Sequence, residues 1–226
     1  MSAKAELRRI AFWADALSDA EADRARKGIV EKSFAAGSYI CHRGDRLDAW
    51  TGVISGLVKL GAISEGGKAM TFAGVGAGGW FGEGTILKNE PRKYDLVALR
   101  DTRLGMMNRA TFSWLFDHSV GFNKFLVNQL NERMGQFIAT IELDRIHDPT
   151  PRVARHLAWM LNPVLYPATG RHIEISQEQE EIALLAGVSR ASANRSLQML
   201  ESSGLLRVEH RGVTVHDVAQ LAQFTA

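Results

Sequence analysis

Between residues 31 and 107 glycine returns at short intervals among runs of Val, Ile, Phe and Thr: GSYICHRGD, GVISGLVKLGAIS, EGGKAMTFAGVGAGGWFGEG, YDLVALRDTRLGMM. A stretch broken so often cannot sustain long helices, and short β-prone runs separated by turn signals specify an antiparallel barrel or sandwich. Glu65-Gly66-Gly67-Lys68 is a candidate hairpin turn, because glycine reaches positive φ without steric cost. From about residue 109 the texture becomes helical. Val127, Leu130, Met134, Phe137 and Ile141 follow alternating steps of three and four, the a/d seam of a coiled coil, which requires a partner helix. Packing of that stripe on the barrel is the alternative. Phe122, Phe125, Leu126 and Ile138 form a second stripe, so one side of the helix can face the barrel and the other a second copy.

Residues 4 to 30 are charged and alanine-rich, with Leu7, Ile10, Phe12 and Leu17 at helical spacing, and read as a helical lead-in. Asp148-Pro149-Thr150-Pro151 interrupts the helical texture, since proline lacks an N–H donor and restricts the residue before it; a domain boundary and hinge are expected there. A chain of 226 residues is ample for two cores. No run approaches the roughly 20 apolar residues of a membrane span, and the N-terminus is charged throughout without the apolar core of a signal peptide. A cytoplasmic protein with no membrane association is expected. Cys41, the single cysteine, excludes an internal disulfide and cysteine-ligated metal.

Enzymatic chemistry finds little support. Cys41 and His42 are neighbours in an expected strand, so their side chains leave opposite faces and make no nucleophile–base pair. No phosphate-cradling Walker loop and no metal-spaced cluster of His, Asp and Glu occurs. His147, near the boundary, is a candidate haem ligand or pH sensor, although a lone histidine usually serves neither purpose. The expectation is no enzyme, no metal and no certain cofactor.

The segment after the boundary is the most informative. PRVARHLAWML is helical, and ISQEQEEIALLAGVSRASANRSLQMLESSGLLRVEHRGVTVHD holds two short helices, a tight turn and a hairpin. Ser176 and Gln179 suit a capping box for the first helix, whose buried side is Ile182, Ala183 and either Leu184 or Leu185. Ala186-Gly187-Val188 makes a turn of helix-turn-helix length, with Ser189 capping the next helix. There Ala193, Leu197 and Leu200 face inward, leaving Arg190, Ala191, Ser192, Asn194 and Arg195 outward near its start, the end that DNA readers use. Arginine's planar fork bonds both acceptors on guanine's major-groove edge, and Ser189 and Ser192 suit phosphates. The hairpin pairs Val208 with Val215 on one face and puts Arg211-Gly212 at its tip, a wing that can reach the sugar-phosphate backbone. Residues 149 to 226 hold seven arginines, no lysines and seven acids, so bulk charge carries no argument; the acids fall on positions such as Glu178, Glu180, Glu181 and Glu201, away from the helix start. A protein-binding winged helix, or arginines on an ordinary solvated surface, is the alternative.

RGD...GVISGLVKL...GGWFGE and GVSRASANRSLQMLESSGLL, in this order around a long seam helix, resemble the Crp/Fnr family of bacterial transcription regulators over essentially the whole chain. The resemblance implies an α+β fold in three parts. These are a jelly-roll, cupin-like antiparallel β-barrel of cyclic-nucleotide-binding type over residues 1–108, a dimerisation helix over 109–147, and a winged helix-turn-helix over 148–226. It implies a homodimer on double-stranded DNA that contacts RNA polymerase, with a small-molecule or nucleotide effector of unknown identity. Arg190 and Arg195 match the family's DNA helix, but Ala191 stands where a glutamate is usual, and a methyl can touch only apolar groups such as the thymine methyl. In cyclic-AMP-binding members a Gly-Glu pair holds the ribose and an Arg-Ser pair the phosphate. Here Gly82 and Glu83 match, whereas Lys93 and Tyr94 replace Arg-Ser, beside Arg92. The helix positions that offer hydroxyls to adenine fall on Phe137 and Ile138, which cannot hydrogen-bond. The reading is a regulator whose effector is not cyclic AMP. The alternatives are dependence on cyclic AMP or cyclic di-GMP, and a nucleotide-binding module without DNA activity; for Glu83 the alternative is a structural carboxylate bonding loop amides.

Overall fold

The structure, a computed structural model, describes residues 2–63, 66, 69–143, 148–166, 172–174, 180–210 and 212–225. The lead-in forms α1 (Ala3–Arg8), a 3-10 turn (Phe12–Ala16) and α2 (Asp19–Lys27), the last opened by a capping box in which Ser18 and Glu21 satisfy each other's backbone N–H groups. Leu7 and Leu17 are buried, as helical spacing predicts. Eight strands follow: β1 (Ile29–Phe34), β2 (Tyr39–Cys41), β3 (Ala49–Ser55), β4 (Leu57–Ile63), β5 (Ala69–Gly76), β6 (Trp80–Phe81), β7 (Asp95–Ala98) and β8 (Thr102–Asn108), with α3 (Glu83–Lys88) between β6 and β7. They pair antiparallel in two separate four-stranded sheets, β1-β8-β3-β6 and β2-β7-β4-β5. The barrel is thus not closed but a jelly-roll sandwich. Val53 and Leu104 from one sheet meet Val58, Leu60 and Leu96 from the other in the core between them. Cys41 is buried and His42 exposed, on opposite faces. Of the expected hairpin turn between β4 and β5, Glu65, Gly67 and Lys68 lie outside the described residues.

The helical stretch expected from residue 109 onward is two helices. α4 (Arg109–His118) ends at Ser119, whose backbone is extended and whose Oγ accepts from Phe122 N at 3.2 Å; α5 (Val120–Leu143) starts there in a new direction. The break allows Phe112 and Leu115 of α4 and Phe122 and Leu126 of α5 to enter one cluster with Trp13, Trp50 and Trp80. Ring centroids lie 5.0 Å apart for Trp13–Trp50, 4.5 Å for Trp50–Trp80 and 5.3 Å for Trp50–Phe122, spacings at which tilted and edge-to-face aromatic pairs attract. Beyond Gln129 no described residue of α5 is buried, so Ile138, expected to face the barrel, is instead 61% exposed. Val127, Leu130, Met134, Phe137 and Ile141 are all exposed on the single chain.

The C-terminal half comprises α6 (Pro149–Met160), β9 (His172–Glu174), α7 (Glu180–Ala186), α8 (Arg190–Ser202), β10 (Leu206–Glu209), β11 (Gly212–Val215) and α9 (Val218–Ala222). The Asp148-Pro149 pair that ends the preceding texture also starts α6. Asp148 Oδ1 accepts from Thr150 N at 2.8 Å, and Pro149 occupies the first turn, where a missing N–H costs nothing. Val153, Leu157, Ile182, Leu197, Leu200 and Val213 make a separate core. The strands pair in the order β10-β11-β9, and the hairpin register corrects the expected one: Val208 lies opposite Val213, and Leu206 opposite Val215. This follows from Glu209 lying across from Gly212. The Ser176–Gln179 capping box and His147 fall outside the described residues. No helix among the described residues is long and apolar enough to cross a membrane.

The aromatic cluster yields a stability prediction. Trp50→Ala should lower the unfolding free energy by about 3–5 kcal/mol, while Val120→Ala, at a 70% exposed site, should stay within about 0.5 kcal/mol, measured by urea unfolding followed by far-UV circular dichroism.

Candidate nucleic-acid interface and effector site

α7, the turn after it and α8 form the helix-turn-helix. Ile182, Ala183 and Leu185 are buried while Leu184 is exposed, which resolves the inward position in favour of Leu185. Gly187 takes a φ of 64°, the left-handed conformation that ends α7 and re-aims the chain. Ser189 caps α8, its Oγ accepting from Ser192 N at 3.1 Å and lying 2.9 Å from Ser192 Oγ. Ala193, Leu197 and Leu200 are fully buried, which turns the opposite face outward: Ser189, Arg190, Ala191 and Arg195 are exposed, and Ser192 and Asn194 half-buried. Arg195 Nη2 donates to Ser192 Oγ at 3.3 Å, so that guanidinium is held over the first turn. No acid lies in the first turn of α8, and Glu201, at its far end, accepts from Val208 N of the wing at 2.8 Å. The surface at the start of α8 is thus a set of hydrogen-bond donors on the positive end of a helix dipole. Arg211, expected at the wing tip, lies outside the described residues.

The second site sits where α3 leaves the sandwich. Gly82 has a φ of 96°, and a Cβ there would fall on the Arg92 guanidinium, so glycine is required twice over. Arg92 is 1% exposed; its Nη2 donates to Ala49 O at 2.8 Å and its Nη1 to Tyr94 Oη at 3.3 Å. Glu83 is buried beside it. Glu83 Oε2 and Arg92 Nε have no hydrogen-bond partner among the described residues, two buried polar atoms whose desolvation none of those residues offsets. Burial pushes the Tyr94 phenol up, with Arg92 and Arg133 acting in the opposite sense and Glu83 adding to the rise. Arg92 and Tyr94 are in direct contact, and Glu83 and Arg133 lie near enough to act on the phenol's charge.

Three expected site residues are not brought there. The Lys93 side chain is largely exposed and pairs with Glu90 at 3.2 Å, so the interior cation is Arg92. Phe137 and Ile138 are 51% and 61% exposed. Farther along α5, Arg133 does reach the sandwich, its Nη2 donating to Trp80 O at 2.7 Å. Sequence reading missed Arg133, although its place seven residues after buried Leu126 and four after buried Gln129 puts it on the barrel-facing stripe.

Comparison with known proteins bears on both sites. Residues 31–119 match the cyclic nucleotide-binding domain model, and residues 151–224 match the Crp-like helix-turn-helix domain model. The cyclic AMP receptor protein of Thermus thermophilus is 30% identical over 207 residues, covering 92% of this chain and 93% of its own. The chain belongs to the Crp/Fnr family of DNA-binding transcription regulators. A CRP-like cAMP-activated global transcriptional regulator of Mycobacterium tuberculosis is 27% identical over 87% of this chain and 88% of its own. FixK2 from Bradyrhizobium japonicum shares the fold, with a TM-score of 0.67 at 18% identity over 88% of this chain and 98% of its own. This Crp/Fnr chain therefore pairs a cyclic-nucleotide-binding-like sandwich with a DNA-binding winged helix, and its relatives are regulators rather than enzymes.

The residues present fit half of a cyclic nucleotide. Glu83 Oε2 and Arg92 Nε, both buried and without partners, suit a ribose hydroxyl and a phosphate, but the Tyr94 phenol rests on the Arg92 guanidinium. Removing the phenol should open the site. By isothermal titration calorimetry, Tyr94→Ser should bind cyclic AMP at least about tenfold, or about 1.4 kcal/mol, more tightly than the parent chain; equal affinities would show that Tyr94 does not obstruct.

Proposed function

We propose that two copies of this chain pair along Val127, Leu130, Met134, Phe137 and Ile141. Each would set the start of α8 in a major groove, with half-sites about 34–36 Å apart. Arg190 and Arg195 read guanine edges, Asn194 offers its amide to an adjacent base, and Ser189 and Ser192 hold phosphates. Ala191 contributes only apolar contact. Arg211 on the wing grips the sugar-phosphate backbone. The dimer works in the cytoplasm and alters transcription through contact with RNA polymerase. Residues 1–108 serve as sensor, 109–147 as the pairing unit and 148–226 as the DNA-reading unit. The observation that carries this reading is the acid-free first turn of α8, capped by Ser189 and presenting Arg190 and Arg195 outward.

The effector in this reading is not cyclic AMP. The support is the Tyr94 phenol, to which Arg92 Nη1 donates at 3.3 Å, standing where cyclic-AMP-binding members of the family have a small serine. A cyclic-AMP-dependent regulator is the second reading, favoured by the unpartnered Glu83 Oε2 and Arg92 Nε and by the names of the Thermus and Mycobacterium relatives.

Selection of bound oligonucleotides tests the DNA reading. The expected half-site differs from the family's usual one at the base pair facing Ala191, and recovery of the usual base pair there would contradict it. Arg190→Ala should cost about 1–3 kcal/mol and relax the sequence requirement at one position; an equal loss on every sequence would reduce Arg190 to a phosphate contact.

A further inference from the structure

A cavity of about 690 Å³ lies not at Glu83 and Arg92 but at the junction of the two halves of the chain. Its walls come from the lead-in (Arg8, Arg9, Phe12), from Ile54 near the end of β3, from Arg100 after β7, and from Met160 at the end of α6. A volume of this size suits a small organic ligand, since such sites commonly span about 300–1,000 Å³. Three guanidinium groups border an otherwise largely apolar lining. Asp101 is the one acid among the described lining residues, and its Oδ1 already accepts from Ala36 N at 2.9 Å. Arg8 pairs with Asp15 on the outside, while Arg9 makes no ion pair or side-chain hydrogen bond among the described residues. Arg8 and Arg100 each face a carboxylate, Asp15 and Glu181, so Arg9 is the guanidinium at the rim that no ion pair among the described residues engages, beside an apolar floor.

Arg100 has a second role. Its Nε donates to Glu181 Oε1 at 3.0 Å and its Nη2 to Glu181 Oε2 at 2.6 Å, a two-pronged bond between the sandwich and the first helix of the helix-turn-helix. Thr71 Oγ1 donates to Leu184 O at 2.7 Å beside it, and Leu185 packs directly against Gly74 of β5. The cavity thus adjoins the contact that sets how the DNA-binding half sits on the sandwich.

We propose that this cavity is an effector site for an amphipathic organic anion. The negatively charged head is held by Arg9, and the apolar or aromatic body lies against Phe12, Ile54 and Met160. This deepens the regulator reading and rests on it, since an occupant touching both halves binds best to the arrangement in which both walls are present and so biases that arrangement. It also moves the sensing function away from the place where Tyr94 covers Arg92.

The test uses the full chain and 8-anilinonaphthalene-1-sulfonate, an organic anion with an aromatic body that fluoresces when desolvated. Saturable binding is expected. Arg9→Glu, at an exposed site that leaves the core intact, should weaken it at least tenfold, and Met160→Trp, which fills the floor, should weaken it as much. Dodecanoate or cyclic di-GMP should displace the probe; displacement by the first alone identifies an acyl carboxylate, by the second alone a phosphate-bearing nucleotide. Parent affinity in Arg9→Glu would overturn the proposal, as would failure of both competitors to displace the probe. Binding of selected operator DNA by the same preparations reports on the regulator reading separately, so either can fail alone.

Discussion

The packing of Trp50 against Trp13, Trp80 and Phe122 is the contact on which the rest of the molecule depends. It brings the lead-in, strands β3 and β6 of one sheet and the start of α5 to a single point. Each such pair contributes about 0.5–1.5 kcal/mol beyond the apolar area it buries, and the ring shapes allow few alternative arrangements. Because α5 is fixed at this end, its rotation about its own axis is fixed as well. Arg133 then points to the sandwich, and the stripe from Val127 to Ile141 points away. One aromatic cluster thereby determines which side of the helix is available to a partner.

The contact between the halves is of a different kind. Arg100 with Glu181, Thr71 with Leu184 O and Asn162 with Glu132 are polar and specific in direction. A buried ion pair gains little net stability after desolvation, but it disfavours arrangements that would separate its members. A junction built this way has a preferred geometry and a modest hold, as a hinge between two cores requires. The cavity beside Arg100 and the buried Glu83 and Arg92, where Arg92 Nη1 donates to the Tyr94 phenol, are two separate places on the sandwich.

Local signals survived into the structure where they were self-contained. Ser189 as a cap, Gly187 at the bend, and inward Ala193, Leu197 and Leu200 each depend on spacing within one helix or turn. Glycine punctuation likewise marked the strands. Features set by distant contacts were not legible. The break at Ser119 follows from where Phe112 and Phe122 meet Trp50, and the choice of Arg92 over Lys93 as the inward cation follows from the position of Ala49 O, 43 residues away. Ile138 reads as part of a stripe, but the sandwich ends before α5 does.

The most direct test of the account is the fluorescence anisotropy of a duplex recovered by selection, titrated with the full-length protein at fixed moderate salt, with and without cyclic AMP. The account predicts tight, salt-sensitive binding that cyclic AMP leaves unchanged. Binding that appears only when cyclic AMP is present would contradict it, and would show that Glu83 and Arg92 take up the nucleotide once Tyr94 gives way.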